Sequence, residues 1–212
     1  AGFYGFRHGA APVHLMFNTA DSAIYVVNTM PKERKGLRMV AVLTDEYGQE
    51  IWKKAEEMTA DGYSITRLWE PDLTSSTAAV QFLKLCITYV STGLTVDENT
   101  YWFPAGGDRQ KLTGLPAAKV VGQMMKSKDG KVSVDLANSG EVAAFFVRMK
   151  VVRTSDGEMV APVFLDDNYI VLLPGERKSI EVDLTALSQE DRNTPLLLRL
   201  EGFNLQPAVV RL

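Results

Sequence analysis

Cysteine is almost missing from this sequence: Cys86 is the only one in 212 residues. No internal disulfide can form, so the fold has to stand on packing alone. Set between Leu85 and Ile87 in an extended apolar run, Cys86 reads as a small buried side chain. Histidine is nearly as scarce, with only His8 and His14 near the amino end, and nothing around them supports a His-Cys-Asp nucleophile built on Cys86. No run of about 18 apolar residues occurs, so no membrane-spanning helix is expected. Lys and Arg are scattered and the net charge is −3, which leaves no footprint for nucleic acid. There is no Asn-x-Ser/Thr sequon, and Gly106-Gly107 is followed by no lysine-serine pair of the phosphate-cradling kind. The chain begins at Ala1 with neither a methionine nor a signal peptide, which fits a fragment or a processed protein.

What is present is an ordinary globular balance, 46% hydrophobic and 23% charged, long enough for one large or two ordinary domains. From Pro12 onward, short extended runs alternate with turn residues. Val13–Phe17, Ala23–Asn28, Leu37–Thr44, Glu50–Lys54, Tyr63–Trp69, Val80–Val90 and Thr95–Phe103 come first, punctuated by Pro31, Gly36, Tyr47-Gly48, Asp61-Gly62, Pro71 and Gly93. Short strands with turn signals at roughly ten-residue spacing are the pattern of an immunoglobulin-like sandwich. Residues 104–117, rich in proline and glycine, read as an exposed linker. The series then restarts with Ala118–Lys126, Val132–Ala137, Ala143–Arg153, Met159–Leu165, Tyr169–Leu173, Ile180–Leu184, Leu196–Phe203 and Ala208–Leu212.

The expected fold is therefore all-β: two tandem immunoglobulin-like antiparallel sandwiches over 12–103 and 118–212, after a tether at 1–11. The only helical candidate is a single turn at Leu187–Arg192. The halves repeat one another, since a strand ending at Asn28 or Asn138 precedes a long alternating strand, a glycine turn and a return run. In the second half Phe145, Val147, Met149 and Val151 share one face of the long strand, opposite Phe146, Arg148, Lys150 and Val152. Asp156-Gly157 is a hairpin dipeptide, and Leu173-Pro174-Gly175-Glu176 is a type II turn. The inward set should comprise Val132, Val134, Leu136, Phe145, Val147, Met149, Ile180, Val182, Leu198 and Leu200.

Asn138-Ser139-Gly140, Ala144-Phe145-Phe146-Val147-Arg148, Asp166-Asp167-Asn168-Tyr169 and Leu172-Leu173-Pro174-Gly175-Glu176 follow each other in the order seen in a known family. This run resembles the last immunoglobulin-like domain of glycoside hydrolase family 2, in its β-mannosidase and exo-β-glucosaminidase branch. Pro12-Val13-His14, Lys35-Gly36-Leu37 and Asn99-Thr100-Tyr101-Trp102-Phe103 extend the likeness to the first half. Phe203-Asn204 departs from a Trp-Asn pair common in the family, and the 104–117 connector lacks a tryptophan-rich insertion, so subfamily and substrate stay open. The resemblance implies a non-catalytic accessory region of a β-mannosidase-like enzyme, partnered by the catalytic barrel domain of the same parent chain. It also implies a bacterial periplasmic or secreted setting.

A retaining glycosidase of that family needs two glutamates on a barrel, the acid/base directly after an asparagine. This chain has no Asn-Glu dipeptide and no alternation of strand and helix, so no catalytic residue, cofactor or metal site is assigned. Asp166, Asp167 and Asn168 form the densest acidic cluster, to be read as a turn or cap, as interdomain hydrogen bonding or, more remotely, as calcium ligands. Trp52, Trp69 and Tyr101-Trp102-Phe103 in the first half, and Phe164 and Tyr169 in the second, are core or interface residues or sugar-stacking platforms. The candidate residues for carbohydrate or interdomain contact are Phe164, Asp166, Asp167, Asn168, Tyr169 and Trp102, with carbohydrate held at a domain edge. The competing reading is a free-standing tandem binding or adhesion module, which the same fold permits.

Overall fold

Runs rich in β-branched and aromatic residues become strands here over nearly the spans their alternation implies. The computed structural model describes residues 2–212; Ala1, the first residue of the expected tether, lies outside the described residues. The chain divides into two compact units, Ala1–Leu112 and Thr113–Leu212. In the first, α1 (Gly2–Gly9) precedes β1 (Val13–Asn18), β2 (Ala23–Asn28), β3 (Arg34–Thr44), β4 (Glu50–Ala60), β5 (Ser64–Trp69), β6 (Val80–Tyr89) and β7 (Thr95–Pro104). These strands form two antiparallel sheets, β1-β2-β5 and β4-β3-β6-β7. Leu15, Val26, Leu37, Met39, Leu83 and Leu85 fill the space between them and are almost fully buried.

After a 3₁₀ turn at Ala105–Gly107 and the short α2 (Gln110–Thr113), the second unit supplies β8 (Val120–Lys128), β9 (Lys131–Asn138), β10 (Ala144–Arg153), β11 (Phe164–Leu165), β12 (Ile170–Leu172), β13 (Arg177–Asp183), α3 (Gln189–Arg192), β14 (Leu196–Glu201) and β15 (Ala208–Arg211). Its sheets run β11-β13-β9-β8 and β12-β10-β14-β15, the order of the first unit with β11 added at one edge. The strand-level repeat of the sequence is thus a repeat of topology. Every residue of the expected inward set lies in the core cluster except Phe145, which is buried but sits apart. The cause is a bulge: β10 pairs with β12 at Ala144↔Leu172 and Val147↔Ile170, and between them the register shifts.

Three expectations need correction. Gly2–Gly9 is a helix, so the turn at Leu187–Arg192 is not the only helical stretch; its pattern is hidden because Gly2, Gly5 and Gly9 each lower helix propensity by about 1 kcal/mol relative to alanine. Part of the stretch 104–117 is ordered and covered, since Leu112 and Leu115 are buried. The run Met159–Leu165 is not one return strand. It makes a single bridge, Val152↔Met159, after which Phe164–Leu165 pairs with β13 of the other sheet. Pro162 interrupts it, having no N–H to give to a ladder. At Leu173–Glu176 the expected turn is present, with Gly175 at φ 78° and Glu176 N–H donating to Leu173 O at 3.0 Å. The helical turn near Leu187–Arg192 is α3, capped by Ser188, whose hydroxyl accepts from Asp191 N–H at 3.1 Å.

The asparagines that end β2 and β9 play matching parts. Asn28 donates to Lys32 O, Ala60 O and Asp61 O at 3.0, 3.1 and 2.9 Å and accepts from Met30 N–H. Asn138 donates to Val142 O and Leu172 O, both at 2.8 Å, and accepts from Gly140 N–H. Each is 1% exposed. Alanine at either position orphans buried carbonyls, and the expected loss is about 1–3 kcal/mol per unsatisfied group, measurable by urea unfolding.

Asp97 of β7 is also buried, its carboxylate accepting Leu15 N–H of β1 at 3.2 Å. Desolvation pushes its pKa up, against the pull of that N–H and of His14 and His8. An unfolded aspartate ionises near pH ~3.9. In the window above that value the folded chain holds the extra proton, so this residue makes stability fall as pH rises through it. Asp97→Asn should abolish that fall, and unfolding free energies taken across the acid range will show it.

Candidate functional site

The acidic cluster of the second unit lies where the chain crosses from one sheet to the other, between β11 and β12. Asp166 prolongs the β11–β13 ladder: its N–H donates to Glu181 O at 3.1 Å, and its Oδ1 accepts Glu181 N–H at 2.9 Å. Loss of hydration raises the Asp166 pKa, opposed by that N–H, although the residue keeps an exposed side. Asp167 is buried, with Oδ2 2.6 Å from Lys178 Nζ and Oδ1 accepting Asn168 N–H at 2.8 Å. Asn168, also buried, acts as a one-residue strand partner for β10. Its Oδ1 accepts Met149 N–H at 2.8 Å and Tyr169 N–H at 2.9 Å, and its Nδ2 donates to Met149 O at 3.0 Å. Asp167 and Asn168 are therefore committed to contacts inside the unit.

Opposite this loop, the bulge in β10 turns Phe146 to φ 56°, and Tyr169 stands at φ 59°. Left-handed backbone is costly for bulky side chains, of order 1–3 kcal/mol each, and persists only where the surroundings enforce it. Here two asparagines do so. Asn168 holds one side, while Asn204 accepts Phe145 N–H at 2.9 Å and donates to Ala143 O and Pro116 O at 2.9 and 2.8 Å.

The result is a gathered aromatic edge. Phe146 meets Tyr169 edge to face with centroids 5.9 Å apart, Phe145 meets Phe146 at 5.0 Å, and Phe145 meets Phe203 at 5.7 Å. Arg148 lies over the Tyr169 ring, 6.0 Å from Cζ to centroid. Phe203 is 54% and Phe164 is 61% exposed, which leaves apolar surface facing outward.

Of the residues expected from sequence, Asp166, Asp167, Asn168 and Tyr169 come together, and Phe164 precedes them on β11. Trp102 lies in the other compact unit, on β7 opposite Phe82, and is 38% exposed. Its neighbours Tyr101 and Phe103 turn inward onto Phe17, at 5.8 and 5.0 Å, and Trp52 and Trp69 pack against the same core. Sequence reasoning missed Phe146 and Arg148 as partners of Tyr169, and Phe203 as a partner of Phe145. The bulge that unites them follows from a register shift that alternation alone does not announce.

Replacing Asn168 by alanine leaves three backbone groups of Met149 and Tyr169 without their partner, at about 1–3 kcal/mol apiece. Amide exchange at Met149 is expected to accelerate well beyond that at Val132 in β9, and protection as in the original chain would refute the bracing role.

With this geometry in view, the chain can be compared with known proteins. The model of the exo-β-D-glucosaminidase Ig-fold domain matches residues 99–205. The exo-β-D-glucosaminidase of Arthroderma benhamiae is 26% identical over 230 residues, covering 99% of this chain and 25% of its own length. A mannosylglycoprotein endo-β-mannosidase of Lilium longiflorum is 24% identical over 86% of this chain and 26% of its own. The chain thus spans about a quarter of the length of these curated relatives, which include fungal and plant proteins as well as bacterial ones. Among solved structures, the exo-chitosanase CsxA of Amycolatopsis orientalis superposes with a TM-score of 0.81 at 20% identity, over 99% of this chain and 28% of that one. The β-D-mannosidase of Dictyoglomus thermophilum does so with 0.71 at 17% identity, over 96% and 23%. These two likenesses carry the fold, two sandwiches in tandem, and the matched model carries the kinship: the chain belongs to the family of exo-β-D-glucosaminidase Ig-fold domains.

Proposed function

We propose that this chain is the non-catalytic accessory region of a family 2 glycoside hydrolase of exo-β-glucosaminidase or β-mannosidase type, and that it packs on and supports the catalytic barrel of the same parent. The parent would be a retaining exo-β-glycosidase, its two carboxylates about 5–5.5 Å apart on the barrel. Relatives about four times as long support this reading, as does the use made of the densest carboxylate pair. Asp166 and Asp167 hold a strand crossing and a lysine.

The observation that carries the proposal is the aromatic edge. Two strained residues, Phe146 and Tyr169, are braced so that their rings, Arg148 and the exposed Phe203 share one rim. Exposed aromatics and arginine are the side chains that dominate protein interfaces. Docking of the parent's own catalytic domain is favoured over carbohydrate at these residues, because the rings meet edge to face and leave Phe203 and Phe164 exposed as apolar anchors.

In the full-length parent enzyme, Phe203→Ser should weaken domain docking by about 2 kcal/mol. Heat inactivation of the glycosidase would then come at lower temperature, shifted by more than the melting of the 212-residue chain by itself, where Phe203 is 54% exposed and loses only its edge contact with Phe145. Heat inactivation and turnover equal to those of the original enzyme would reject the docking role.

A further inference from the structure

The outer face of the β11-β13-β9-β8 sheet is organised in cross-strand rows that differ from one end to the other. At one end the polar side chains satisfy each other. Lys131 Nζ is 2.7 Å from Glu181 Oε1 and 3.7 Å from Asp183 Oδ2, and the Ser133 and Ser179 hydroxyls are 3.1 Å apart. At the other end they do not. There Val121, Ala137 and Arg177 make one row and Gln123, Asp135 and Ser179 the next. Among the described residues, the side chains of Gln123, Asp135 and Arg177 have no hydrogen bond or ion pair with protein. With Val121, Gly122, Met125 and Ala137 they line an open groove of about 520 Å³.

The groove is built on rigid elements. Asp135 is on β9, paired on both sides, and Arg177 begins β13 immediately after the Pro174-Gly175 turn. A register shift between Met124 and Lys126 lifts Met125, 56% exposed, into one wall. Bulges of this kind re-aim side chains beside binding sites. The volume falls within the range of about 300–1,000 Å³ usual for small-ligand sites.

We propose that this groove binds a neutral oligosaccharide of pyranose units. A carboxylate only accepts, a guanidinium only donates and an amide does both, which together match adjacent hydroxyls that are each donor and acceptor. Asp135 and Arg177 sit diagonally on neighbouring strands with opposite charges, so the groove has no net sign and gives no advantage to an anion or a cation. Val121 and Ala137 supply an apolar floor for the C–H face of a sugar ring. This site shares no residue with the aromatic edge and does not rest on the docking proposal.

The test is titration of the ¹⁵N-labelled 212-residue chain with cellotetraose, β-1,4-mannotetraose and the β-1,4-linked glucosamine tetramer. At least one neutral tetramer should give saturable shifts confined to amides of β8, β9 and the start of β13. Asp135→Ala and Arg177→Ala should each weaken binding about tenfold, the loss expected when a hydrogen bond to a charged group is removed. Melting curves of both variants must match the original chain; Asp135→Asn replaces the alanine variant if they do not. No saturable change with either neutral tetramer, shifts mapping elsewhere, variants that bind undiminished, or tighter binding of the glucosamine tetramer would each overturn the proposal.

Discussion

A backbone amide or carbonyl taken out of water has to be paired, and in a sandwich the pairing fails wherever a strand leaves its sheet. This chain meets that constraint with asparagine side chains. Asn28 and Asn138 close the loops that follow β2 and β9, Asn168 stands in for a strand beside Met149, and Asn204 holds both Ala143 and Phe145. An amide carries donor and acceptor on a short stem, so one residue can replace both halves of a lost ladder pair. With a single cysteine and no possible internal cross-link, the apolar layers between sheets supply the cohesion. The asparagines let those layers close without orphaned polar groups.

The same bracing makes the aromatic edge possible. Phe146 and Tyr169 occupy left-handed backbone that is costly for both, and Asn168 and Asn204 grip the backbone on either side. Strain held in this way orients rings that would otherwise alternate into the core or away from each other. The cluster at Asp166–Asn168 is the scaffold for that orientation: two of its three side chains are buried and held by contacts inside the unit.

The second unit thus presents two surfaces of different chemistry. One is apolar and aromatic with an arginine at its rim, suited to another protein surface. The other is a shallow polar groove with an apolar floor, suited to a small hydroxylated ligand. They arise from two bulges, one in β10 and one in β8, each of which displaces side chains from strict alternation.

Most of the architecture was legible before the structure. Period-two alternation in Val132–Leu136 and Val147–Val151 identifies strands and their buried face, because a side chain on a strand has only two directions to choose from. Turn residues at Asp156-Gly157 and Pro174-Gly175 mark their ends, and the repeat around Asn28 and Asn138 marks two copies of one topology. What alternation could not convey is where it breaks. Phe145 leaves the main core and the run after Met159 changes sheets at Pro162, both decided by pairing with strands distant in sequence, while the helix at Gly2–Gly9 is masked by its glycines. Local periodicity therefore determined the strands and their inward faces, whereas the meeting of Tyr169 with Phe146, and the diagonal placement of Asp135 and Arg177, was decided by register between strands, which exists only once the sheets have paired.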